Sequence, residues 1–187
     1  TKSFTIYDSG DSRALLKRIK RYRGVFNATG GGITLSGGEA LAQPGFVGRV
    51  FAGARELGIH TALDTSGFLG ANADDALLAN TDLVLLDVKA GDEATYRRVT
   101  GGRLKPTLEF GRRLSDHGVE IWIRFVLVPG LTDDEATIEP IADYAASLAS
   151  VSRVEILPYI QDRSTSLIIE RIRRACCEQP EGQLQVA

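Results

Sequence analysis

The chain has 187 residues, 43% of them hydrophobic and 25% charged, and a formal net charge of −2. That is long and apolar enough for one globular domain with a substantial core, and the charge balance excludes a general electrostatic pull toward nucleic acid or an anionic membrane. No apolar run approaches the ~20 residues that a membrane-spanning helix needs.

The two cysteines, Cys176 and Cys177, are adjacent and late. Neighbours cannot staple a long loop, so this usage points to a reducing, cytoplasmic setting. Methionine is absent, at position 1 as elsewhere, and the expectation is a fragment or a product missing its beginning.

In chain order, Asp11 or Ser12 is predicted to cap a first helix whose stripe is Leu15, Leu16, Ile19 and Tyr22, with Gly24 as its stop. Its other face carries Arg13, Lys17, Arg18, Lys20, Arg21 and Arg23. This reads as a solvated outer face, with a partner-docking surface as the alternative. A short apolar strand, Ile33 to Leu35, follows between glycines, and then the turn Ser36-Gly37-Gly38-Glu39. Strand, glycine turn and helix is how α/β proteins expose backbone N–H groups to a small ligand, and a residue without Cβ lets that ligand come close. Glu39 would repel a phosphate, so the expected ligand group is cationic, such as an amine; the alternative is an ordinary turn at a strand end. A helix from Pro44 to Gly58 turns Phe46, Val47, Val50, Phe51, Ala54 and Leu57 inward.

The pattern then repeats. His60 to Leu63 is a strand ending in Asp64-Thr65-Ser66-Gly67, followed by a short helix from Ala73 to Ala79 capped by Asn72. Leu83 to Val88 is an apolar strand with Asp87 and Lys89 at its end. Helical segments follow near Glu93 to Val99 and from Pro106 to Gly118; Glu120 to Val128 is the longest strand, with Arg124 in its middle. Thr132-Asp133-Asp134-Glu135 reads as a capping box for a helix that Pro140 breaks or restarts. Val154 to Leu157 is the last strand. Five mostly apolar strands alternating with helices predict an α/β fold with a parallel sheet buried on both faces, part of a (β/α) barrel.

Ligands of such sheets sit at the C-terminal strand ends, which here carry Glu39, Asp64 and Thr65, Asp87 and Lys89, and Arg124. Residues two apart on a strand share a face, so Asp87 and Lys89 point the same way. They form either a local ion pair or a grip for a ribose and a carboxylate, or an acid and base. Arg124 lies in an apolar run, and burying a guanidinium unpaired is too costly, so it needs a carboxylate. Asp64 is the natural candidate. His60 and His117 lie near glycines at helix–strand junctions and read as surface or packing residues.

Five ordered motifs carry a family resemblance. They are Thr29-Gly30-Gly31-Gly32-Ile33-Thr34-Leu35-Ser36-Gly37-Gly38-Glu39, Gly58-Ile59-His60-Thr61-Ala62-Leu63-Asp64-Thr65-Ser66-Gly67-Phe68, Leu83-Val84-Leu85-Leu86-Asp87-Val88-Lys89, Ile121-Trp122-Ile123-Arg124-Phe125-Val126-Leu127-Val128-Pro129-Gly130, and Glu155-Ile156-Leu157-Pro158-Tyr159. From about Leu16 to Tyr159 the chain resembles the pyruvate formate-lyase activating enzymes, glycyl-radical activases of the radical S-adenosylmethionine (SAM) superfamily. The resemblance implies a partial (β/α) barrel of the radical SAM type with about five of six parallel strands present, over residues 1–159, and a tail without resemblance at 160–187. It implies a 4Fe-4S cluster that cleaves SAM to a 5′-deoxyadenosyl radical, which takes a hydrogen from a glycine of pyruvate formate-lyase. Flavodoxin or ferredoxin is the implied electron donor. By this similarity Gly37, Gly38 and Glu39 hold the methionyl amino group, and Asp87, Lys89 and Arg124 line the SAM and substrate-peptide side. Asp64 and Thr65 look like a monovalent-cation site. No catalytic side chain is assigned.

The chain departs from the family at both ends. The family's C-x3-C-x2-C precedes the first helix, whereas Thr1 to Asp11 contains no cysteine, and a thiolate-held cluster needs those ligands. The first barrel strand goes with that segment, so an uncovered sheet edge is expected, and the chain alone is expected to be silent in catalysis. The family's histidine after Leu-Pro-Tyr is Ile160 here. Two alternatives stand beside the activase reading. One is a non-catalytic fragment that binds SAM or the partner. The other is a phosphate-binding (β/α)-barrel decarboxylase, suggested by Asp87-x-Lys89-x-x-Asp92.

Overall fold

The computed structural model describes residues 12–158. The chain enters as α1 (Ser12–Arg21) and α2 (Arg23–Thr29). It then runs β1 (Gly32–Leu35), α3 (Pro44–Glu56), β2 (His60–Thr65), α4 (Asp75–Ala79), β3 (Leu83–Asp87), α5 (Glu93–Thr100), α6 (Lys105–Asp116), β4 (Glu120–Leu127), α7 (Glu135–Ala146) and β5 (Val151–Pro158). Every strand pair is parallel, in the order β1-β2-β3-β4-β5. Each strand lies beside its predecessor with helix between, so the sheet winds in one direction as a partial (β/α) barrel. Among the described residues it does not close, which agrees with the predicted five-stranded α/β architecture.

The core lies between sheet and helices. Leu63, Val84, Leu86, Ile121 and Ile123 are fully buried against Phe51 of α3 and Leu114 of α6. Burying each such side chain contributes roughly 1.5–3 kcal/mol. A second cluster, Ile19 with Val50, Ala54 and Ile59, docks α1 on α3, and Leu15 and Leu16 pack against it. The basic residues of α1 face outward, as predicted.

The strands are not buried on both faces as expected. Along β4 burial alternates: Ile121, Ile123, Phe125 and Leu127 lie under the helices, while Trp122, Arg124 and Val126 are half-buried on the other face. Helices cover one side of the sheet, so the opposite, concave side can carry charge. Below Arg124 on that side, the Trp122 ring stacks with the Arg153 guanidinium 3.9 Å from its centroid, and its Nε1 donates to Glu120 at 3.0 Å.

Four local predictions need correction. Gly24 is no stop. The first helix breaks at Tyr22, and α2 runs through Gly24 to Gly30, whose φ of 65° provides the left-handed cap. Asp74, not Asn72, caps α4, accepting from the Leu77 N–H at 2.7 Å. Asp134, not Thr132, caps α7. The Thr132 hydroxyl instead donates to the Val126 carbonyl and accepts from the Val128 N–H, closing the turn after β4. Helix α7 then continues through Pro140, tolerating the missing N–H. The expected cap at Asp11, the motif end at Tyr159, Ile160, the 159/160 boundary and both cysteines lie outside the described residues.

Two predictions follow from the packing around α7. A Cβ on Gly91 would lie 2.2 Å from the Thr137 carbonyl oxygen of that helix. Gly91→Ala is therefore expected to destabilise the chain by about 1–3 kcal/mol in urea unfolding. Tyr144 is buried and its hydroxyl donates to the Leu108 carbonyl at 2.9 Å; burial pushes the phenol from 10.0 up to about 12. The fold prefers the neutral form, so this contribution is complete below pH 10 and is lost as pH rises toward about 12. Tyr144→Phe is expected to flatten the fall in stability across that window, read by denaturant unfolding at stepped pH.

Candidate functional site

The C-terminal strand ends bring four predicted side chains into one chain of contacts. Asp64 ends one run of the concave face on β2, Asp87 ends β3, and Arg124 stands opposite Asp87 in the β3–β4 register. The Arg124 Nε donates to Asp87 Oδ1 at 2.8 Å, and its Nη2 donates to Asp64 Oδ1. Lys89 Nζ donates to the other oxygen of Asp87, Oδ2, at 2.7 Å. The sequence led to the Asp64 partner but missed that Arg124 also holds Asp87. The strand register is what places the second carboxylate within reach of the planar guanidinium fork.

This set is two acids and two bases, so it is neutral as a whole. Its side chains are 19% (Arg124), 23% (Asp64), 21% (Asp87) and 35% (Lys89) exposed. These groups are held firmly yet remain open to a ligand. Together they offer cationic donors and anionic acceptors side by side, suited to a zwitterionic ligand carrying hydroxyls.

The glycine turn follows β1, whose last residue, Leu35, pairs with Leu63, next to Asp64 on β2. Gly37 has φ of 152°, a conformation that L side chains avoid, and a Cβ at Gly37 or Gly38 would meet nothing within 4 Å. The space above the main chain is thus open for close approach. Glu39 plays a part that the sequence did not reveal. Its Oε1 accepts from the Leu41 N–H (3.0 Å) and the Thr65 hydroxyl (2.6 Å); Oε2 accepts from the Ser66 N–H (3.1 Å) and hydroxyl (2.7 Å). One carboxylate thereby locks the turn after β1 to the end of β2. Ser66 is the residue that sequence reasoning overlooked, because a lone serine in a turn carries no signal until the fold sets it against Glu39.

The strand pleat sends Asp64 and Thr65 to opposite faces of β2. Asp64 meets Arg124, whereas the Thr65 hydroxyl donates to Glu39 and accepts from the Gly67 N–H. Among the described residues no group of three or more His, Cys, Asp or Glu side chains converges to hold a metal ion. Asp92 stands apart from the site. It caps α5 by accepting from the Thr95 N–H at 2.8 Å and also accepts from the Thr137 hydroxyl. The Thr95 backbone bond, before any other cause, holds its carboxyl below the usual range. The Asp-x-Lys-x-x-Asp pattern therefore does not assemble one site, which removes the basis of the decarboxylase alternative. His60 is exposed at the opposite, N-terminal end of β2, and His117 caps the C-terminus of α6 and sits 3.5 Å from Asp75.

Replacing Arg124 leaves two carboxylates facing each other without their cation. Arg124→Met is expected to destabilise the chain by roughly 1–3 kcal/mol, and adding Asp64→Asn to recover part of that loss. A double-mutant cycle in urea measures the coupling.

A family model described as the radical SAM superfamily matches residues 3–140. The chain is 41% identical over 145 residues to the pyruvate formate-lyase-activating enzyme of Clostridium pasteurianum, covering 78% of this chain and 60% of that one. It is 40% identical over 147 residues to the pyruvate formate-lyase 1-activating enzyme of Escherichia coli K12, with the same two coverages. The chain thus spans about 60% of the length of these curated relatives. Among solved structures, a domain of a pyruvate-formate lyase-activating enzyme from Bacteroides vulgatus matches with a TM-score of 0.74 at 25% identity, covering 84% of this chain and 99% of that one. Streptococcus suis SuiB bound to S-adenosylmethionine matches with a TM-score of 0.74 at 13% identity, covering 99% of this chain and 45% of that one, a likeness of fold. The matched family span takes in four of the five parallel strands and every charged strand end described above, and the chain belongs to the radical SAM superfamily.

Proposed function

We propose that this chain is the SAM-binding and target-aiming body of a glycyl-radical activase whose protein substrate is pyruvate formate-lyase. The observation that carries the reading is the Asp64–Arg124–Asp87–Lys89 network together with the open Gly37-Gly38 turn. It is supported by the identity to activating enzymes across most of the chain. The same reading takes a flavodoxin or ferredoxin as electron donor and a cytoplasmic setting.

SAM carries an ammonium, a carboxylate, a ribose and a sulfonium, and the residues present fit the first three. The Gly37 and Gly38 main chain, held by the Glu39 clamp, accepts the ammonium. All the hydrogen bonds on Glu39 among the described residues come from neutral donors, so an ammonium displacing a hydroxyl there would bring a full positive charge to the carboxylate. Lys89 and Arg124 attract the carboxylate of SAM or of the substrate peptide, and Asp87 accepts from hydroxyls or amides. A monovalent cation at Asp64 and Thr65 would draw on the Asp64 carboxylate and main-chain oxygens, because the pleat turns the Thr65 hydroxyl to the opposite face, where it meets Glu39 and the Gly67 N–H.

The cluster is a different matter. The C-x3-C-x2-C pattern occurs nowhere in these 187 residues, and two adjacent cysteines do not replace it. The donor set of the chain therefore does not fit a 4Fe-4S cluster, and its thiolates must come from elsewhere. In radical SAM chemistry the cluster and SAM supply the hydrogen-abstracting radical, while the protein binds and aims. The residues of this chain do the second part: they orient SAM and keep its charges matched.

Two experiments test the proposal. In calorimetry, Asp87→Ala and Lys89→Ala are each expected to weaken SAM binding by roughly 1.5–3 kcal/mol; unchanged affinities would move the site elsewhere. In an anaerobic assay with dithionite and SAM after iron–sulfide reconstitution, residues 1–187 are expected to form no 5′-deoxyadenosine. A chain extended upstream by C-x3-C-x2-C is expected to form it. A silent extended chain that still binds SAM would favour the binding-fragment reading.

A further inference from the structure

Phe68 is one of only two large hydrophobic side chains, with Val25, that are exposed among the described residues, and it is 41% exposed. It lies three residues beyond the end of β2, at the same C-terminal edge as the charged network. The turn beneath it is pinned from several sides. The Ser66 hydroxyl donates to Glu39 Oε2 at 2.7 Å, and the Ser66 carbonyl accepts from the Thr107 hydroxyl at 2.9 Å. Gly67, with φ of 71°, presses so closely on Leu86 that a Cβ would approach it to 2.7 Å. Gly67 is held against the core, and Phe68 next to it is exposed. One edge of its ring is set by Gly102, whose Cβ would stand 3.3 Å away. An aromatic ring on a rigid turn loses little entropy when it is covered, which is the condition for a binding anchor.

The loop that meets the ring at Gly102 carries the exposed Arg103 and Lys105 and no carboxylate between 101 and 105. Residues 94–108 contain Arg97, Arg98, Arg103 and Lys105 and no carboxylate. Arg103, next to Gly102 under the ring, is exposed. Lys105 is tied to Glu109 at 3.4 Å and Arg98 to the Leu131 carbonyl at 3.2 Å. Glu93, just before this stretch, accepts from the Leu104 N–H.

We propose that Phe68 and the Gly101–Lys105 loop form the docking edge for the protein substrate, fitting a segment with an apolar side chain flanked by acidic residues. This inference rests on the activase reading, which places the incoming polypeptide at this end of the sheet. The ring fills an apolar recess of the partner and Arg103 meets its acidic flank. Through Ser66 the same turn braces Glu39, so docking and cofactor binding share one rigid support. Phe68 is a positioning residue and touches no reacting atom.

The test immobilises the full 187-residue chain and uses purified pyruvate formate-lyase as the probe, with SAM calorimetry in parallel. Phe68→Ala is expected to weaken capture of the probe about tenfold or more, while SAM affinity stays within about twofold of the parent. Phe68→Trp is expected to retain capture, because a rigid aromatic anchor remains. Arg103→Glu is expected to slow association and to flatten its salt dependence. Capture unchanged in both Phe68→Ala and Arg103→Glu overturns the proposal, and so does a parallel loss of SAM affinity in Phe68→Ala, which would make the ring a support of the Glu39 turn alone. A parent chain that binds SAM but captures no pyruvate formate-lyase overturns the activase reading itself, and this inference with it.

Discussion

Everything at this site depends on one guanidinium in a strand. Arg124 stands in β4 between apolar neighbours that face the helices, and a charge there is tolerable only if carboxylates meet it. It reaches Asp87 through Nε and Asp64 through Nη2, and so spans β2, β3 and β4 with a single planar group. Each carboxylate keeps an oxygen that Arg124 does not occupy; on Asp87 that oxygen takes Lys89. The ions are therefore matched before any ligand arrives. A polar ligand exchanges one set of charge-assisted contacts for another and need not neutralise a bare charge, which is the arrangement that preorganisation favours.

Glu39 does for the turns what Arg124 does for the strands. Its carboxylate collects donors from Leu41, Thr65 and Ser66, so the glycine turn after β1 and the turn after β2 move as one body. Glycine is needed at Gly37 for its backbone angle, and open space lies above both glycines. A flexible, Gly-rich segment is thus made rigid by a side chain outside it, without filling the space a ligand needs. The same support extends through Ser66 to Phe68, so the charged strand ends and the aromatic rim share one scaffold.

The parallel sheet, its five strands, the sequential winding and most helix boundaries were legible in the amino-acid pattern. Local hydrophobic period and glycine or proline punctuation are short-range signals. Misreadings came where two local signals competed. Gly24 looked like a stop, yet Tyr22 supplied the break, and Gly30 was the residue that needed a positive φ. Thr132 looked like a cap, yet its hydroxyl was drawn to β4, leaving Asp134 to cap α7. The half-open face of the sheet was also hidden, because Val, Leu and Ile in a strand do not say which side the helices will cover.

The sequence by itself determined which residues carry the charge and at which strand ends they stand: Glu39, Asp64, Asp87, Lys89 and Arg124 occupy positions set by local pattern. It also required that Arg124 find a carboxylate, since desolvation of a lone guanidinium is prohibitive in any fold. Only the tertiary structure decided the partners. Register between strands far apart in sequence gave Arg124 both Asp64 and Asp87, turned Thr65 away from Asp64 to meet Glu39, and drew Asp92 off to a helix cap. The physical reason is reach. A hydrogen bond is made or missed within a few tenths of an ångström, and that distance is fixed by how strands pair and pleat, which composition and spacing along the chain do not encode.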